Sequence, residues 1–156
     1  MAHAATMSII ATVLPDEIAA TISGSMIVTP ADANEKWYYK LTACTTTSTD
    51  LIAGNFVDYT AVDDDTAPIA VASNDKVKFI LIQNQSSGDG VYVCFDAGTA
   101  ANDLSDAVFI GPSQTWFGRL PNTTVAAIHA ISSDIGDVGD NTANLVVAAL
   151  IDDVSA

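Results

Sequence analysis

Basic side chains are nearly missing from this chain. Four lysines and one arginine stand against 19 acidic residues in a length of 156, for a formal charge of −14. Phosphate backbones and anionic membranes repel such a surface, which argues against nucleic acid and lipid as partners. Glutamate is equally short: 17 of the 19 acids are Asp, and the two Glu are Glu17 and Glu35. The residues that clothe exposed helices are therefore scarce, while Asp, Thr, Asn, Ser and Gly, which favour turns, abound. No apolar run reaches the ~18 residues a membrane helix needs. The opening MAHAATMSIIATVLP carries no basic start of the signal-peptide kind, so synthesis in the cytoplasm is expected. Cys44 and Cys94 are the only cysteines and have no metal-ligand spacing. One disulfide is conceivable for them, but Cys94 sits in an apolar strand pattern, where a small buried hydrophobe is the simpler role.

What is present reads as β-structure. An apolar content of 49% argues against disorder, and the length suits one domain. Residues 1–36 read as an N-terminal arm and first strands, with the apolar runs SIIATVL and TISGSMIV around a break at Pro15-Asp16-Glu17. Ile18-Ala19-Ala20 suits one helical turn opened by Pro15. Gly24 weakens the second run or marks a bulge in it.

Residues 37–156 read as a β-sandwich domain. WYYKLTAC is aromatic, then β-branched, as strands are. A short strand is expected around Phe56 to Thr60, then a charged loop at Asp63-Asp64-Asp65. The pair Val77–Gln83 and Val91–Phe95, joined by a polar loop, reads as a hairpin or a neighbouring antiparallel pair. Further strands are expected at Val108–Ile110, Thr115–Phe117, Val125–Ser132 and Asn144–Ile151, with turns at Gly111-Pro112-Ser113 and Pro121-Asn122. Turn signals roughly every 8 to 15 residues, without a helical period, predict an all-β, antiparallel sandwich or jelly-roll-like domain with an extended N-terminal arm. Phe79, Leu81, Val91, Val93 and Phe95 are the expected core.

Chemistry is hard to find. His129 lies in the alternating strand VAAIHAIS, and no nucleophile motif accompanies it. A half-exposed or hydrogen-bonded strand histidine accounts for it better than a general base. Asp134, Asp137 and Asp140 fall at three-residue steps and could gather oxygens for Ca²⁺, but the alternate spacing and closing Glu of an EF-hand are absent. A solvated loop is the preferred reading, so no metal and no cofactor are expected. Trp37, Tyr38, Tyr39, Trp116 and Phe117 could make a sugar-stacking platform, although aromatics of β proteins more often fill cores or interfaces. The uncharged start, with Met7, Ile9, Ile10, Val13 and Leu14, is the expected contact segment, joined by Trp37 and Trp116. SIIATVL could equally be the first strand of the sandwich itself.

The strands KFILIQN and VYVCFDAGTAA, the segment IGPSQTWF, the strand TTVAAIHAIS and the closing NLVVAALIDD form a set. It resembles that of small β-sandwich virion proteins of tailed bacteriophages, especially capsid decoration (cement) proteins. The likeness covers about half of the chain, and its motifs are architectural. It implies a non-enzymatic structural protein that binds the outer surface of a capsid and stabilises it. The implied partners are the major capsid protein and further copies of the chain, as a homotrimer. A head–tail connector, a fibre module and a carbohydrate-binding sandwich are the alternatives.

Overall fold

The computed structural model describes residues 4–13, 20–57, 68–101, 107–133 and 142–155. The chain divides into two units, Met1–Ala33 and Asn34–Ala156. Every pairing of strands among the described residues is antiparallel.

The first unit holds β1 (Ala5–Val13) and β2 (Ala20–Val28), which pair without a register shift from Ala5↔Val28 to Val13↔Ala20. SIIATV, residues 8–13, belongs to neither sheet of the sandwich; it pairs with TISGSMIV in a two-stranded sheet. Ala20, expected in a helical turn, opens β2, and Ile18 and Ala19 lie outside the described residues.

The second unit is an antiparallel β-sandwich, as the composition predicts. One sheet has the order β3 (Glu35–Cys44), β10 (Ala143–Asp152), β5 (Lys76–Asn84), β8 (Thr115–Thr124). The other has β4 (Thr49–Asp50), β9 (His129–Ser132), β6 (Val91–Cys94), β7 (Val108–Ile110). The core lies between them: Tyr38, Ile80, Ile82, Leu145 and Val147 from the first sheet meet Val91, Val93, Ile110 and Ala130 from the second.

The expected hairpin of β5 and β6 does not form. The two strands belong to opposite sheets, and the loop between them is an arch. A two-residue turn would have forced them to pair; this longer loop spans the ~10 Å between packed sheets. Asn84, buried at the end of β5, pins the arch. Its Nδ2 donates to Asp89 O at 2.8 Å, Gly111 O at 3.2 Å and Ile110 O at 3.4 Å, and its Oδ1 accepts from Ser86 N at 2.9 Å.

Other expectations shift as well. Pro121-Asn122 is no turn: both lie within β8, opposite a break in register between Val77↔Thr123 and Phe79↔Arg119. The strand is at the sheet's edge, where a residue without an N–H is tolerated. The expected strand Val125–Ser132 begins as a 3-10 turn, Val125–Ala127, before β9. Phe56 and Val57 are not in a strand; Asn55 makes only an isolated bridge to Ala70, and residues 58–60 lie outside the described set.

The core needs a change of phase. Val91 and Val93 are fully buried in it. In β5, however, Ile80 and Ile82 point into the sandwich, so Phe79 and Leu81 take the opposite face. Phe79 is buried there, edge-on to Trp37 with ring centroids 6.5 Å apart, while Leu81 is only half-buried. The bulge at Lys78 returns Val77 to the interior. Phe95, past the end of β6, is half-buried at the core's margin.

Candidate functional site

The outer face of the first sheet follows from its register. Tyr39, Ala148, Leu81 and Phe117 form one row across β3, β10, β5 and β8; Leu41, Val146, Gln83 and Thr115 form the next. Residues paired across antiparallel strands share a face. Tyr39 is 64% exposed and Leu41 58%, beside half-buried Leu81, Phe117, Val146 and Ala148. The result is an apolar patch in which no row residue named here carries a charge.

The second sheet treats its outer face differently. Tyr92, Cys94 and Ile131 point away from the core and are covered by the chain's own loop through Ala100. The Ala100 N–H donates to Ser48 Oγ at 2.9 Å, and Cys94 Sγ lies 3.2 Å from Gly98 O. Phe109 adds its ring at 4.9 Å from that of Tyr92. One side of the sandwich is thus mostly closed by local sequence, with Phe109 39% exposed on its edge strand, and the other presents Tyr39 and Leu41. Both cysteines are buried thiols, and burial pushes that of Cys44 up to about 11.

The β1–β2 ribbon is two-faced. Ala5, Met7, Ile9, Ala11 and Val13 share one face with Ala20, Ile22, Gly24, Met26 and Val28, so it carries no polar side chain. The opposite face is Thr6, Ser8, Thr12, Thr21, Ser23 and Ser25, interrupted by Ile10 and Ile27. On the apolar face Ile9 is 45%, Val13 38% and Ile22 60% exposed. A two-stranded sheet has little of its own to bury such a surface against.

The predicted contact residues therefore separate. Met7, Ile9 and Val13 are on the apolar ribbon face, Ile10 is on the Ser/Thr face, and Leu14 lies outside the described residues. Trp37 is half-buried against Phe79. Trp116 is half-buried and packs at the core's margin, its ring 5.2 Å from that of Phe95. Asp63–Asp65 and Asp134, Asp137 and Asp140 lie outside the described residues. Among the described residues no group of three His, Cys, Asp or Glu side chains could hold a metal ion, and no helix could cross a membrane.

His129 is engaged on both sides of its ring. Its Nδ1 lies 3.2 Å from Asp50 Oδ1 and its Nε2 3.0 Å from Ala126 O, so both ring nitrogens are occupied within the chain. Leu41 and Ile22 are surface residues that sequence reasoning passed over, and Tyr39 entered it only as part of a sugar-stacking platform. Tyr39 and Leu41 are two apart in WYYKLTAC, which is the signal of a shared strand face. No protein-family model, curated protein or solved structure matches the chain.

Proposed function

We propose that this chain is a structural virion protein that binds the outer surface of a bacteriophage capsid and stabilises it. The observation that carries the reading is the inequality of the two sandwich faces. One is closed by the Ala100 loop, while the other offers Tyr39 and Leu41 among half-buried apolar neighbours. A chain of −14 that presents apolar surface in this way is suited to docking on a large protein surface. The likeness of its strand motifs to decoration proteins gives that surface an identity: the major capsid protein. The reading needs no catalytic group.

Co-sedimentation of the purified chain with emptied, assembled phage shells tests it. Saturable binding, with a rise in the temperature at which shells break, is expected. A stoichiometry on the order of hundreds of copies per particle fits a shell symmetry, whereas a handful fits a connector or fibre part. No binding to any assembled shell would sink the proposal.

A further inference from the structure

We infer that Asp96–Ala101, the described part of the loop after β6, is a strap that lifts off the outer face of the second sheet while the sandwich stays folded.

The first argument is what the strap buries. Its one buried residue is Ala100, which packs on Tyr92, Cys94 and Ile131, with Ala107 alongside. That cluster is separate from the main core of the sandwich. Asp96, Ala97, Thr99 and Ala101 are exposed, and the sequence Asp-Ala-Gly-Thr-Ala-Ala holds no large apolar side chain. A single methyl seated on an outer face loses little apolar burial when it leaves. Lifting the strap leaves the packing between the two sheets as it was.

The second argument is how the strap is tied down. The Ala97 N–H donates to Ala127 O at 3.2 Å, and the Ala100 N–H to Ser48 Oγ at 2.9 Å. The Cys94 thiol donates to Gly98 O at 3.2 Å, and a thiol is a weak donor. The bond from Gly98 N to Asp96 Oδ1, at 2.9 Å, lies within the strap and travels with it. None of these is a rung of the ladders that β6 makes with β7 and β9. Each can be exchanged for a bond to water as the strap lifts. Segments held in this way open at a lower free energy than the whole domain.

The third argument is strain. Ala97 has φ 69°, in the left-handed region that a residue with a Cβ disfavours. The glycine of the strap stands one residue later, and its own φ is not left-handed. The closed strap holds this strain and the lifted strap releases it. Backbone strain of this kind collects in clamps and switch segments.

Lifting bares the Cys94 thiol together with Tyr92 and Ile131. The first sheet thus has a permanent apolar face, and the second has one that opens. Cys44 behaves differently, because it is fully buried in the main core and is reached only when the sandwich unfolds.

The strap does not rest on the capsid reading. Labelling of the full chain with N-ethylmaleimide, mapped to each cysteine by mass spectrometry, tests it. Each rate is divided by that of the same cysteine in the urea-unfolded chain. Cys94 should react at least about 100-fold faster than Cys44. Its rate should hardly respond to urea below the unfolding transition, since a small opening exposes little surface. Ile80→Ala weakens the core and should speed Cys44 at least about tenfold, about 1.4 kcal/mol, with Cys94 unchanged. Ser48→Ala removes the acceptor of Ala100 and should speed Cys94 about tenfold. Ala97→Gly relieves the strain and should slow Cys94 about threefold. Should Ile80→Ala fail to fold by circular dichroism, the urea response of the wild type decides. Equal rates and equal urea responses at the two cysteines would overturn the inference, as would equal acceleration of both by Ile80→Ala. A Cys94 rate unmoved by both Ser48→Ala and Ala97→Gly would also overturn it, because the reagent would then reach the thiol without the strap.

Discussion

Lys36 Nζ stands 2.6 Å from Asp153 Oδ2 and joins the start of β3 to the residue just beyond β10. The carboxylate is buried, and its second oxygen accepts from Ser155 N at 3.0 Å and Ser155 Oγ at 2.7 Å. The Asp153 N–H in turn donates to Asn34 O at 2.9 Å. The bond from Lys36, and after it the one from the Ser155 hydroxyl, hold the Asp153 carboxyl below the ordinary carboxylate range.

That depression fixes the sign of a pH effect. A group whose pKa is lower folded than unfolded contributes stability in full above its unfolded value, near ~3.9 for Asp. The contribution fades as pH falls through the folded value. Acid titration of the unfolding free energy should therefore show a loss below about pH 4 to which this pair contributes. Lys36→Met leaves the carboxylate buried with only Ser155. It should cost roughly 2–3 kcal/mol at neutral pH and flatten the acid limb. Equal acid limbs in wild type and variant would mean that Asp153 is not linked to folding through Lys36.

Asn84 supports a second prediction. Its amide gives hydrogens to backbone carbonyls on both sides of the arch, and its oxygen takes one from Ser86 N. Asn84→Ala should cost about 2–4 kcal/mol in denaturant unfolding, since buried carbonyls lose their donor. Asn84→Asp should cost more, because a carboxylate oxygen would then face Asp89 O and Gly111 O, acceptor against acceptor. The reverse order of the two variants would refute the pinning role.

The phase of β5 is tested by neighbours. Ile80→Ala empties a site fully enclosed by both sheets and should cost about 2–5 kcal/mol. Leu81→Ala removes a half-buried side chain from the outer face and should cost about 1–2 kcal/mol. Comparable losses would mean that both faces of β5 are core.

Much of this architecture was legible in local sequence, and the losses have specific causes. β3, β5 and β10 announce themselves as runs of β-branched and aromatic residues between turn signals. What a run cannot say is which sheet it joins: KFILIQN and VYVC look alike as a hairpin and as an arch, and only the span of the loop separates the two. Phase was misjudged in β5 because both faces are apolar, so period two has no polar partner to mark it. Pro121 read as a turn because an edge strand with a bulge leaves no mark in composition. The ribbon face was hidden by Ile10, which breaks the alternation of ATMSIIATV; the pairing with β2 is what sorts Ile9 from Ile10. Gly24 read as a defect in a strand until its surroundings showed open space.

The functional reading turns on Tyr39 and Leu41. Both sit on β3, the edge strand of the first sheet, and each is more than half exposed. Neither belongs to the sandwich core, so their loss should leave folding almost untouched: Tyr39→Ser with Leu41→Ser should shift unfolding by no more than about 1 kcal/mol. Burying such side chains at an interface is worth ~1.5–3 kcal/mol each when burial is complete. If the shell covers them, the double variant should bind assembled shells on the order of 100-fold more weakly, which corresponds to about 2.8 kcal/mol. The matching control is Ser87→Lys in the arch loop, an exposed position away from the Tyr39 and Leu41 rows, which should bind like wild type. On the opposite sheet the outward residues Tyr92, Cys94 and Ile131 are already covered, and Phe109 alone of the outward residues named here is exposed. Unchanged shell binding by a folded Tyr39→Ser, Leu41→Ser variant would remove this face from the contact and, with it, the observation on which the proposed function rests.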